Sequence, residues 1–176
     1  DIVDLNIEKR NIHTKRFNKE IYPESVASVA QDMYTRIHLD ELLITALDVA
    51  LNYTGAECGS IMILDKNKRE FSVKVSRGLD QQKVVAARAR FGEGLAGRAA
   101  QENRSMVIKG TEGDSRIKPF LRRPDIKQSA IIPLSIQNRV LGVLNVHTKK
   151  DAVNIDVGER NIQHLSRLIS TAIQSI

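Results

Sequence analysis

The residues whose types and spacing could do chemistry begin with Gly92-Glu93-Gly94-Leu95-Ala96-Gly97, a literal G-x-G-x-x-G. Such a motif cradles a dinucleotide's pyrophosphate when it follows a strand and opens a helix within a parallel βαβ unit. Here the pattern predicts a helix before the motif and antiparallel hairpins around it, so the dinucleotide context is missing. The glycines then either permit tight backbone turns or leave the N–H groups of Leu95 and Ala96 free, at a helix start, to bind an anion. Arg116, Lys118, Arg122 and Arg123 lie beside Pro119 and Phe120. Arginine pairs bidentately with carboxylate or phosphate, so this cluster reads as a clamp over an anionic ligand or, alternatively, as a solvated loop. Ser60 and Ser76 are small polar residues among apolar strand neighbours. Cys58 is the single cysteine, which rules out an internal disulfide, points to a reducing, cytoplasmic compartment, and reads as a small buried hydrophobe. His13, His38, His147 and His164 lack the spacing of a zinc site. His147 reads as a surface strand residue. No nucleophile elbow, P-loop or catalytic carboxylate pair is present, so no enzyme is expected.

The elements that must position these residues follow from periodicity. Residues 1–22 are polar and weakly periodic, a linker or lead-in. Pro23 suits a first helical turn, and Val26, Val29, Ala30, Met33 and Ile37 form one stripe of an N-terminal helix over 23–37. A second helix, from about Leu39 to Tyr53, carries Asp40 and Glu41 in its first turn and is closed by Gly55. Gly59 to Leu64 has strand length, Asp65 to Lys68 is a turn, and residues 70–76 alternate, with Phe71, Val73 and Val75 on one face and Ser72, Lys74 and Ser76 on the other. A short helix is expected through Val84 to Ala89, another after the glycine motif through Arg98 to Glu102, and a strand over Ser105 to Ile108. The long connection from Lys109 to Lys127 reads as a lid. Ser129–Ile136 and Arg139–His147 form a second hairpin turning at Gln137-Asn138, with Pro133 demanding an edge or bulge. Asp156 and Glu159 have capping-box spacing before a last helix. There Ile162, Leu165, Ile169, Ala172 and Ile176 step as a two-heptad seam, which packs either on the sheet or against a second copy. Hairpins segregated from helices give an α+β domain with an antiparallel sheet.

Composition narrows the partners. The formal net charge is +6, and residues 81–128, with eleven Lys/Arg against five acids, carry all of the excess. Without an aromatic-rich strand or helix-turn-helix spacing, nucleic acid is the least favoured partner for this patch, behind plain solvation and an anionic small ligand. No apolar run is long enough for a membrane span and the first residues do not form a secretory signal. The first residue is not Met, so a fragment of a longer protein is expected.

Leu39-Asp40-Glu41-Leu42-Leu43, Gly59 to Asp65, Gly92 to Gly97, Ser129 to Leu134 and Arg139 to Val146, in this order and spacing, resemble a GAF domain over about residues 38–175. The resemblance implies a GAF-like α+β fold for residues 38–176: a central antiparallel sheet with terminal helices on one face and lid loops and short helices on the other. It further implies a cytoplasmic, non-catalytic sensor in a bacterial-type signalling or transcription-regulating protein, working as a homodimer through its terminal helices and relaying a signal to an output domain. The positions matching the pocket of cyclic-nucleotide-binding relatives include Ser60, Ser76, Arg77, Leu95 and Ala96, but Ser76 replaces their stacking aromatic and Ile155 their signature Phe, which argues against cyclic GMP. The candidate ligand-binding residues are Ser60, Ser76, Arg77, Phe91, Leu95, Ala96, Arg116, Phe120 and Ser129. The candidate dimer interface comprises Val26, Val29, Met33, Ile37, Ile162, Leu165, Ile169 and Ile176. The ligand stays unidentified, and no cofactor, metal or membrane partner is indicated. The alternatives are a ligand-free dimerisation module and, least favoured, a free methionine sulfoxide reductase, whose lid cysteines this chain lacks.

Overall fold

The computed structural model describes residues 24–67, 69–110, 125–151, 155 and 160–174; of residues 24–37, only the side chain of Met33 is described. The lead-in, the side chains of Val26, Val29 and Ile37, most of the lid, the capping box and Ile176 lie outside the described residues. The chain divides into two units, residues 1–38 and 39–176. In the first, the described backbone is helical and Met33 is 59% exposed.

Helix α1 runs Glu24–Thr54. The expectation of two helices meeting near Leu39 is corrected, because no Gly or Pro interrupts these residues and nothing around Ile37-His38-Leu39 ends the hydrogen-bond ladder. Gly55 terminates the helix at φ +66°, with the Ala56 N–H donating to the Leu51 carbonyl at 3.1 Å, a Schellman closure.

The second unit is built on six antiparallel strands: β1 (Cys58–Asp65), β2 (Glu70–Arg77), β3 (Arg88–Arg90), β4 (Met106–Lys109), β5 (Gln128–Ile136) and β6 (Arg139–Thr148). Their spatial order is β3-β2-β1-β6-β5-β4. Gln137 and Asn138, at φ +47° and +64°, make the tight turn between β5 and β6, as their position predicts. β4 pairs β5 only as far as Ile131, so Pro133 has β6 on one side and no strand on the other, the open edge its missing N–H requires. Its carbonyl accepts from Ser166 Oγ at 3.1 Å.

The sheet has two packed faces. On the helix face Ile61, Val75, Ile132, Leu134, Leu144 and Val146 meet Leu43, Leu47 and Ala50 of α1 and Ile162 and Ile169 of the last helix, α4 (Arg160–Gln174). On the opposite face Met62, Phe71, Ala89, Ile131 and Val143 meet Ala99 and Ala100 of α3 (Gly94–Glu102). This is the predicted division, terminal helices on one side and a short helix on the other.

The strict alternation expected along β2 fails at one point. Met62 pairs with Val73 but Ile61 pairs with Val75, leaving Lys74 as the extra residue of a bulge. The bulge shifts the side-chain parity. Phe71 and Val73 pack with the opposite-face cluster, whereas Val75 joins the helix face. Lys74 reaches Asp40 of α1 at 2.9 Å, and Arg77 grips Asp48 of α1 through Nε at 2.8 Å and Nη2 at 3.2 Å.

The helix expected through Ala89 ends earlier. Helix α2 is Gln81–Ala86, capped by Asp80, whose side chain accepts from the Gln82 N–H. Ala87 is extended and Arg88-Ala89-Arg90 forms β3, because only Ala89 of the three has an apolar side chain to bury. A strand therefore does precede the glycine motif, but it pairs antiparallel with β2, so no dinucleotide unit exists. Gly92 and Gly94 take φ of +79° and +61°. At Gly97 a Cβ would lie 1.9 Å from the Arg90 carbonyl oxygen. The motif is the close-packed joint between β3 and α3.

Two consequences are measurable. Gly97→Ala should destabilise the domain by about 1–3 kcal/mol, through forced separation of α3 from β3, with the midpoint of chemical denaturation falling while its slope is unchanged. The second concerns acid. The hydrogen bond from the Arg77 guanidinium holds the Asp48 carboxyl below its ordinary value, against an opposing desolvation and with a smaller help from the Arg77 charge. A depressed carboxyl stabilises the fold above its unfolded pKa and loses that contribution as pH falls through the folded value. An Arg77→Met variant should therefore melt below the parent at pH 7, and the gap should narrow as pH falls below the ordinary carboxylate range.

Candidate functional site

Cross-strand partners in a sheet share a face, and the registers collect a polar row on the face away from the terminal helices. Ser76 on β2 stands opposite Ser60 on β1, and Ser60 opposite Asn145 on β6. One step along, Cys58 stands opposite His147, and His147 opposite Ser129 on β5. Ser60 is 5% exposed, Asn145 7% and Ser129 1%. Asn145 Nδ2 donates to Ser60 Oγ at a long 3.4 Å, and His147 Nδ1 lies 2.8 Å from Ser129 Oγ. The row abuts the apolar shelf of Met62, Val73 and Val143, so this face is polar at one end and greasy at the other, the layout of small-molecule sites in general.

At the outer end of the row, β3 covers β2 only from Glu70 to Ser72. Beyond it, the open edge of β2 forms a groove of about 470 Å³ with α2, lined by residues 72–77 of β2, Ile44, Gln81, Val84, Val85 and Arg88. Ser76 therefore belongs to both the groove wall and the polar row.

The nine residues expected to touch a ligand divide as follows. Ser60, Ser76 and Ser129 are brought together in the row. Leu95 and Ala96 pack on the same face's apolar cluster. Phe91, 40% exposed, sets its ring edge-on to Phe71 with centroids 5.0 Å apart. Arg77 does not join them: it is on the helix face, spent on Asp48. Arg116 and Phe120 lie outside the described residues. Asn145 and His147 were not among the nine, and the reading of His147 as a surface residue is corrected, since it is half-buried against Ser129. The signal was present in Val143-Leu144-Asn145-Val146-His147, where polar residues two apart interrupt an apolar strand.

The expected dimer residues are placed differently from a surface seam. Ile162 and Ile169 are each 1% exposed and Leu165 packs on the same core, so in this packing they have no surface to offer a second copy. The exposed apolar residues of the second unit's terminal helices are instead Leu42 (44%), Val49 (45%), Tyr53 (48%) and Leu168 (69%).

Below the row, Glu57 accepts from the Lys149 backbone N–H at 2.9 Å and pairs with Lys150 at 3.3 Å. That N–H foremost holds the Glu57 carboxyl below its ordinary value and ties the end of β6 to the start of β1. Among the described residues no three His, Cys, Asp or Glu gather as a metal site, and no helix is long and apolar enough to cross a membrane.

Comparison with known proteins agrees with this architecture. The GAF domain family matches residues 37–174. No curated protein matches the chain in sequence. Among solved structures, the GAF domain of a phosphoenolpyruvate-protein phosphotransferase from Coxiella burnetii superposes with a TM-score of 0.67 at 20% identity, covering 78% of this chain and 83% of that one. A methyl-accepting chemotaxis protein fragment gives 0.62 at 16%, covering 78% and 89%. The type II free methionine-R-sulfoxide reductase of Thermoplasma acidophilum gives 0.66 at 12%, covering 80% and 96%. At such identities the structures speak for the fold alone, and the family match carries the assignment: this chain belongs to the GAF domain family.

Proposed function

We propose that the chain is a non-catalytic regulatory domain of a cytoplasmic signal-transduction or transcription-regulating protein, binding a small molecule on the sheet face away from its terminal helices. The observation that carries this reading is the polar row Ser76–Ser60–Asn145 with Ser129–His147, of which Ser60, Asn145 and Ser129 are buried. Polar side chains buried in a sheet face cost stability unless partnered, and these five form one band across β2, β1, β6 and β5 that reaches the groove at Ser76. Signalling neighbours such as the chemotaxis protein support the regulatory reading.

The reductase reading fares worse. Thiol redox cycles need an accessible thiolate, and Cys58, the single cysteine, is 1% exposed and donates to the His147 carbonyl. The anionic-ligand expectation loses Arg77 to Asp48, and among the described residues the polar row contains no Lys or Arg.

A homodimer through the terminal helices is the proposed output, with Leu42, Val49 and Tyr53 of α1 as contact residues. They recur at seven- and four-residue steps on one helical face, and Leu168 supplies the exposed apolar residue of α4. A second reading, a ligand-free dimerisation module, rests on these exposed residues alone.

Thermal shift of the purified chain against nucleotides, amino acids, carboxylates, neutral amides and tetrapyrroles tests the sensor reading. A ligand at a hundred times its Kd contributes about 2.7 kcal/mol, an increase of about 5–10 °C for a domain of this size. A flat panel, with binding also absent by titration calorimetry, overturns the sensor and leaves the dimerisation module. Light scattering tests the interface: Leu42→Glu and Leu168→Glu should convert a dimer to a monomer with little change in melting temperature, and a monomeric parent overturns it.

A further inference from the structure

We infer that Asn145, backed by Ser60, is the recognition edge of the site, and that it selects a neutral ligand head carrying an amide or lactam edge over a carboxylate. The inference rests on the sensor reading above and names its ligand class.

Asn145 is 93% buried on the relative scale, yet its one hydrogen bond among the described residues is the 3.4 Å contact to Ser60 Oγ. A carboxamide has two N–H donors and two acceptor lone pairs on oxygen. Among the described residues three of these four valences have no partner, on a side chain only 7% exposed. The ladder does not need them: β6 is a central strand, paired on both sides through its backbone, and Leu144 and Val146 supply its helix-face packing.

The chemistry of the free valences defines the head. A carboxamide offers a donor and an acceptor side by side, which a ligand amide or lactam edge meets bidentately, as Asn meets an adenine edge in nucleic acids. A carboxylate presents two acceptors to that pair and sets one against Oδ1. Within the row Ser60 and Ser76 are neutral hydroxyls. The remainder of the ligand runs past Ser76 toward the half-buried Val73 of the groove wall, which takes an apolar ring or chain. Ser76, on the groove wall, continues the row outward.

The test has an arm without ligand. If Asn145 is held for recognition, removing its polarity relieves the empty fold. Asn145→Leu, close in volume, should then melt at the parent's temperature or about 2–4 °C above it, the shift of a domain this size for one under-satisfied polar group. A fall of more than about 2 °C shows a structural Asn145 and overturns the inference. In the second arm the full chain is titrated with benzamide and with benzoate by NMR. Benzamide should perturb the amides of Ser60 and Asn145 with at least tenfold tighter binding than benzoate, and Asn145→Leu should abolish that selectivity. Equal or tighter binding of benzoate at these residues overturns the amide inference and leaves the sensor reading standing. If neither fragment binds, the inference fails whether or not another compound in the panel shifts the melting temperature, and the panel alone then decides the sensor reading.

Discussion

The extra residue at Lys74 decides which side chains serve which face. Side chains alternate along a strand with a period of two, so one inserted residue flips everything after it. Before the bulge, β2 delivers Phe71 and Val73 to the α3 side. After it, Val75 joins the helix-face core, Ser76 joins Ser60 and Asn145, and Arg77 reaches Asp48. Without the bulge Val75 would occupy the polar end of the site, and Ser76 would face Leu47 and its neighbours. The bulge also lies on the open edge of β2, where Lys74 and the added twist oppose pairing with a stray strand. One irregularity therefore sets the composition of the core, the chemistry of the site and the protection of an edge.

The two faces of the sheet resolve the competition between stability and chemistry by division. The helix face is apolar along Ile61, Ile132, Leu134, Leu144 and Val146, with the buried pair Gln128 and Thr148 at its end, and takes the large side chains of α1 and α4, each worth about 1.5–3 kcal/mol when fully buried. The opposite face is apolar under α3 and polar beside it. Gly97 holds α3 at its distance from β3, since no Cβ fits below the Arg90 carbonyl. The glycines that look like a nucleotide fingerprint thus serve packing, and the polar chemistry comes from strand residues that no short motif marks.

Much of this was legible in the sequence. The α+β class, both hairpins, the Gly55 stop, the Gln137-Asn138 turn and the open edge at Pro133 follow from local rules that tertiary context did not override. The failures have physical causes. A bulge changes parity without a sequence marker, since Lys74 looks like any exposed polar position, and this misplaced Val75 and Arg77. Three alternating residues, Arg88-Ala89-Arg90, are too few to distinguish a strand from the end of a helix. The terminal seam was ambiguous because steps of three and four residues describe a helix on a sheet as well as a helix on a helix, and Ile162 and Ile169 take the sheet. Asn145 and His147 were hidden within a strand whose other residues argued for core.

The same alternation that separates the faces also couples them. Asn145 sits between Leu144 and Val146, and Ser60 between Gly59 and Ile61; a Cβ at Gly59 would lie 2.5 Å from the Asn145 carbonyl oxygen and 3.2–3.3 Å from Leu51 and Leu47 of α1. At that spacing β1, β6 and α1 have no slack, and close-packed interiors transmit displacement instead of absorbing it. A ligand that draws Asn145 toward itself moves Leu144 and Val146 on the other side, and these touch the core shared with Ile162 and Ile169. The helices can then respond only to the extent that the ligand prefers one arrangement of those strands over another. A tight binder indifferent to the position of β6 would fill the site and signal nothing.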